Sequence, residues 1–239
     1  MEQVNNNARS RWLVAALIVA AVIADQVVKL YIATHYTLGE SREVLPFFLL
    51  CYVENDGMAF GIEWFDKLFL TIFRIIAVGI LIWYMHRLIK RGTRNSYLTM
   101  IALTTAGALG NIIDCIFYGR WFTDSYGHVS QWADPAAGLM PQGEWFKGRV
   151  VDMLYFPLIN FDWPDSFPVA GQLVNVLGFS FRYPSWLPTS DEPFMFFKPV
   201  FNFADSCISV GVVLLILFFR KDFARLEEAY KSQKTENKK

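Results

Sequence analysis

Four long apolar runs, at roughly 12–32, 68–85, 97–118 and 203–219, limit what this chain can fold into more than any other feature. Each comes near the roughly 20 residues a helix needs to cross about 30 Å of hydrocarbon. In lipid the backbone polar groups must be satisfied within the spanning segment, so runs of this kind cross as helices. With 54% hydrophobic and 17% aromatic residues among 239, the chain is too apolar for an ordinary soluble domain. The expected fold is an integral membrane, mainly α protein of four transmembrane helices, with a small extracytoplasmic β-sheet and inserted outer loops. It reads as one membrane-embedded domain over 1–239. Asp25, Gln26 and Lys29 interrupt the first run and no small-x-small cleavage site precedes them, so that run is expected to stay attached.

The basic residues set the orientation. Arg9 and Arg11 precede the first run, and Arg87, Lys90, Arg91 and Arg94 lie between the second and third with no acid among them. The tail 220–239 carries seven basic residues against four acidic, whereas the segments 33–67 and 119–199 together carry seven basic against fourteen acidic. By the positive-inside rule both termini and the tail 220–239 are cytoplasmic, and 33–67 and 119–199 face outward. The net charge of +0 and the lack of a basic stripe argue against a nucleic-acid partner. Cys51, Cys115 and Cys207 are far apart without CxxC spacing, His35, His86 and His128 are scattered, and neither HExxH nor GxSxG occurs. No metal or other cofactor is expected.

On the outer face, "REVLPFFLLCYVENDGMAFGIEWF" (42–65) alternates apolar residues before Asn55-Asp56-Gly57, which predicts a small sheet at the membrane surface with those three residues in its turn. The stretch 119–199, rich in Pro, Gly, Trp and Phe, reads as loop with short helical or strand pieces at the interface.

Carboxylates at the outer ends of the runs are costly in a membrane and therefore mark candidate function. Asp25 and Lys29 are four apart on one helix face; alone they read as a structural ion pair with Lys29 reaching out toward the interface. "GALGNIIDC" (107–115) puts Asn111 and Asp114 three apart after Gly107, Ala108 and Gly110, whose small side chains permit close helix approach. That set serves either a polar packing seam or substrate contact. Asp152, in "GRVVDML" (148–154), alone reads as a turn acceptor or interface residue. Asn202 and Asp205, three apart at the mouth of the last run, form a capping box pattern in which Asn202 accepts from the third amide of the helix.

In chain order these phrases are Asp25-x-x-x-Lys29, "NDGMAFG" (55–61), "GALGNIID" (107–114), "VVDM" (150–153) and "FNFADSCI" (201–208). The series resembles the signal peptidase II family, the bacterial lipoprotein signal peptidases, over nearly the whole chain. The resemblance implies an aspartic endopeptidase of the bacterial inner membrane. It would cut prolipoproteins before the lipid-modified cysteine, with its active site near the outer face. It implies Asp152 and Asp205 as the catalytic pair, and Asp25, Lys29, Asn55, Gly107, Asn111, Asn202 and Ala204 as site residues beside Asp114. The partners it implies are prolipoprotein substrates and membrane lipid, with Phe47, Phe48, Phe60 and Trp64 available to cover lipid or peptide.

Two features depart from that pattern. Cys115 stands where the family usually has Arg, so Arg149 or Arg120 is expected to supply the guanidinium. The stretches 120–148 and 158–197 exceed the family's usual connections. Two other readings compete: a proton-coupled transporter component, which would string carboxylates across the bilayer, and a non-catalytic scaffold in which Asp205 is only a cap and Asp152 a turn residue.

Overall fold

The computed structural model describes residues 2–56, 67–162, 164, 168, 171–176, 179–183 and 194–218. The chain forms two units, one of Met1–Glu40, Tyr52–Met153 and Phe201–Lys239, the other of Ser41–Cys51 and Leu154–Val200.

The larger unit contains α1 (Glu2–His35), α2 (Lys67–Lys90), α3 (Asn95–Trp121) and α4 (Phe203–Phe218). Ala8–His35, Lys67–Lys90 and Asn95–Trp121 are long and apolar enough to cross a membrane. α4 is apolar as well, and its 16 described residues make about 24 Å of helix. The described residues of all four expected spans are thus helical. α2 outruns its apolar run with Arg87 and Lys90 in its last turn, where cations suit the helix dipole.

The short turn after α2 is built by Gly92, whose φ of 68° admits little besides glycine. Gly92 donates to the Ile89 carbonyl at 3.1 Å and Thr93 to that of Leu88 at 3.2 Å, so the last carbonyls of α2 are capped. Below this turn Val14, Met85, Leu88, Ile89, Tyr97, Leu98, Ile101 and Ala102 form an apolar core from three helices. The opposite faces stay apolar while exposed: Val19, Ile23, Val27 and Tyr31 recur every four residues along α1, as a lipid-facing stripe should.

α3 makes the most extensive helix contact, with α4, because its seam is backbone-thin. A Cβ on Gly107 would collide with the Ala204 carbonyl, and one on Gly211 with the Thr104 hydroxyl. The close approach expected from the small residues is therefore present. Past Ile113 the α pattern gives way to a π turn, Asp114–Tyr118, before Gly119–Trp121 closes the helix.

Strands β1 (Ser41–Leu45), β2 (Phe48–Asn55) and β3 (Val150–Tyr155) form a sheet in that order. β1 and β2 pair antiparallel around Pro46-Phe47, with a register slip between Glu43 and Leu45. The turn between β1 and β2 is thus Pro46-Phe47, where proline presets the turn dihedral, and Asn55 ends β2, so the turn expected at Asn55-Asp56-Gly57 runs out of the described residues. Gly57, Phe60 and Trp64 lie outside the described residues. In the smaller unit β4 (Ile159–Phe161) pairs antiparallel with β7 (Phe194–Phe196), β5 (Leu173–Val176) pairs likewise with β6 (Phe179–Arg182), and Phe48 stacks on Phe156 at 4.8 Å. The described residues of 119–199 are loop with short strand and helical pieces, as expected.

Candidate active site

Asp152 sits third in β3, in a run of buried residues, Val150, Val151 and Met153. The paired valines favour strand, so Asp152 is held on an extended chain and not in a turn. Met153 donates its amide to the Phe201 carbonyl at 3.1 Å, which brings the strand alongside the start of α4.

At that start the capping box closes as its pattern suggested. Asn202 Oδ1 accepts from the Asp205 amide at 2.8 Å, and Asp205 Oδ2 accepts from the Asn202 amide at 3.4 Å. The cap also orients the Asn202 side chain. With Oδ1 committed to an N–H, Nδ2 points the other way and donates to Asp152 Oδ1 at 2.6 Å. One asparagine therefore links both carboxylates named from the sequence.

The remaining oxygens are met by amides as well. Asn55 Nδ2 donates to Asp152 Oδ2 at 3.0 Å from the end of β2, and Asn111 Nδ2 donates to Asp205 Oδ1 at 2.8 Å from α3. Asn111 is oriented from behind, since its Oδ1 accepts from Lys29 Nζ at 2.8 Å.

Lys29 is 0% exposed and does not reach outward. It turns in because Asp25 at 3.0 Å, Asp114 at 2.7 Å and Asn111 together match the three donors of its ammonium. Asp114 also accepts from Gln26 Nε2 at 2.9 Å and from the Val151 amide at 3.3 Å. Asp25 accepts from the Ala204 amide at 2.9 Å. The ion pair thus anchors both carboxylate-bearing elements, β3 through Val151 and α4 through Ala204.

Among the groups outside the spans, Asp152 has the informative titration. Burial pushes its carboxyl up to about 6, with the negative charge of Asp205 acting in the same direction. Donation from Asn55 and Asn202 and the charge of Lys29 pull it back.

The π turn completes the frame. A wider turn frees carbonyls, and two are taken up by the loop before β3: Gly148 donates to Cys115 at 2.8 Å and Phe146 to Ile116 at 3.2 Å. Gly148 tolerates no side chain there, because a Cβ would collide with the Asp114 carbonyl.

The guanidinium beside Cys115 comes from an unexpected place. Arg74 on α2 donates Nη1 to Cys115 Sγ at 3.0 Å. Arg149 is engaged with Glu54, Asp56 and Tyr126, and Arg120 is exposed. Arg74 had a signal in the sequence, a lone arginine inside an apolar run. Gln26 and Tyr118, joined at 3.1 Å, carry no charge and so give no such signal in the sequence.

Comparison with known proteins decides the family. The profile described as Signal peptidase (SPase) II matches residues 17–221.

The chain belongs to the signal peptidase II family.

Lipoprotein signal peptidases from Porphyromonas gingivalis (strain ATCC 33277) and Amoebophilus asiaticus (strain 5a2) are 44% and 33% identical, each over 92% of this chain and over 88% and 83% of the relative. A solved structure described as a bacterial membrane enzyme aligns with a TM-score of 0.52 and 25% identity, over 89% of this chain and 90% of its own. As a signal peptidase II this is a membrane protease.

Proposed function

We propose that this protein is the lipoprotein signal peptidase of a bacterial inner membrane. It hydrolyses the prolipoprotein peptide bond just before the diacylglyceryl-modified cysteine, with Asp152 and Asp205 as the catalytic residues. The observation that carries this reading is Asn202, which meets both carboxylates while every carboxylate oxygen of the pair has an amide donor.

Peptide hydrolysis requires an activated water and a polarised carbonyl. Two carboxyl groups sharing a proton supply both, the ionised one taking a proton from water and the protonated one donating to the carbonyl oxygen. The raised Asp152 carboxyl suits such sharing. The amides from Asn55, Asn111 and Asn202 hold the carboxylates without adding charge. Both termini face the cytoplasm, in keeping with the basic turn after α2, and the site lies at the outer ends of the helices. There a substrate anchored by its acyl chains presents its scissile bond without carrying it to mid-bilayer.

Purified protein is incubated with a diacylglyceryl-modified prolipoprotein and the products are resolved by gel shift. Wild type releases the signal peptide in chelator, and Asp152→Asn or Asp205→Asn abolishes release. Cleavage by both variants would overturn the catalytic assignment. A scaffold capped by Asp205 would instead keep its function in Asp205→Asn.

A further inference from the structure

Arg149 stands three residues before Asp152, and Glu54 and Asp56 flank Asn55. Arg149 joins these pairs: Nη1 donates to Glu54 Oε2 at 3.1 Å and Nε to Asp56 Oδ1 at 3.0 Å. The Tyr126 hydroxyl accepts from Nη1 at 3.2 Å, and Lys67 holds Asp56 from the start of α2 at 2.6 Å. The Glu54 side chain is 4% exposed and also accepts from the Tyr52 hydroxyl at 2.8 Å.

Side chains alternate along an extended chain, so residues 54 and 56 point to one side and 55 to the other. Arg149 therefore grips the chain on one side while Asn55 is presented to Asp152 on the opposite side. Arg149 and Asp56 are partly exposed, and pairs of that kind add little stability. Buried Glu54 is different, because a carboxylate out of water needs its partner and directs the guanidinium to one place.

We propose that Arg149 and Glu54 are positioning residues: their bridge, completed by Asp56, fixes the rotation of the 54–56 backbone and so aims Asn55 Nδ2 at Asp152 Oδ2. The inference rests on Asp152 being catalytic. A donor to a carboxylate acts strongly only when aligned, and loss of the bridge lets Asn55 swing away from the ionised oxygen. The other groups acting on Asp152 are Asp205 and Asn202 at the α4 start and Lys29 on α1; the bridge touches none of them. Removing Asn55 donation disfavours the ionised form, so the Asp152 carboxyl titrates higher.

The test is the pH profile of kcat and KM on a diacylglyceryl-modified prolipopeptide, for wild type, Arg149→Met, Arg149→Lys, Glu54→Gln, Asn55→Ala and the Arg149→Met/Asn55→Ala double variant. Arg149→Met is expected to lower kcat about tenfold with KM nearly unchanged. It also moves the Asp152-governed limb up by roughly 0.5–1 pH unit. Glu54→Gln shifts the limb the same way, and Arg149→Lys recovers part of both effects. In the Asn55→Ala background Arg149→Met adds no further shift, since its route to Asp152 is already cut.

Rates are normalised at each pH to the folded fraction read by circular dichroism, because stability itself varies with pH, so a merely destabilised variant shows an unshifted limb. That result overturns the proposal, as does an additive shift in the double variant, which would mean the guanidinium acts on Asp152 directly through its charge. Asp152→Asn, assayed alongside, separates the two readings. Cleavage by Asp152→Asn removes the catalytic assignment and the clamp with it, whereas an inactive Asp152→Asn beside an unshifted Arg149→Met removes the clamp alone.

Discussion

Asn202 donates Nδ2 to Asp152 at 2.6 Å because its own oxygen is already held by the first turn of α4. Capping and carboxylate positioning are thus the two ends of one side chain. They separate by substitution. Serine is as good a cap as asparagine but too short to reach beyond it, so Asn202→Ser keeps the helix cap and loses only the about 1–3 kcal/mol of the donor to the buried Asp152 carboxylate. Cleavage by the same variant falls by at least about tenfold, the loss expected when one donor to a charged group disappears. Chemical unfolding in detergent and the gel-shift assay, run on one preparation, check both halves.

Burial of Asp152 makes stability depend on pH. A folded carboxyl raised to about 6 from 3.8 favours folding fully below the unfolded value, and that contribution is lost as pH rises through the folded one. The loss approaches about 3 kcal/mol by pH 8, at 1.36 kcal/mol per pKa unit. Asp152→Asn cannot titrate, so its unfolding free energy relative to wild type climbs between pH 4 and pH 7 and then levels. A difference that stays flat across that range contradicts the raised carboxyl.

Lys29 faces two carboxylates and an amide with no water-exposed surface. Lys29→Met strands those carboxylates and is expected to cost about 3–5 kcal/mol. Adding Asp25→Asn and Asp114→Asn recovers much of that loss. Cleavage does not return, because Asn111 still lacks the ammonium that orients it toward Asp205. Thermal unfolding and turnover of the triple variant are the measurements.

Gly148 and Gly107 each lie against a carbonyl that a Cβ would strike, those of Asp114 and Ala204. Gly148→Ala and Gly107→Ala are each expected to cost about 1–3 kcal/mol through overpacking. Alanine at Gly79, where a Cβ meets nothing within 4 Å, removes a helical glycine and is expected to be neutral or to stabilise by up to about 1 kcal/mol. Melting temperatures of the three variants rank them.

The membrane class, four helical spans, a close helix approach at Gly107 and the Asn202 cap followed from sequence alone, though not which helix makes that approach. Each depends on interactions within a turn or two of chain, or on apolar length against the thickness of a bilayer. Asp152 and Asp205 were legible only because "VVDM" and "FNFADSCI" resemble a family, since neither carboxylate announces its partner 53 residues away in the chain. The inward turn of Lys29 needed tertiary structure: only α3, folded against α1, brings Asp114 and Asn111 to an ammonium that would otherwise seek water. Arg74 beside Cys115 and Arg149 on Glu54 and Asp56 are likewise meetings between distant segments, unmarked by local pattern. Local physics chose the elements and their caps; packing between them chose which polar groups meet, because a buried charge takes whatever partner the fold brings within reach.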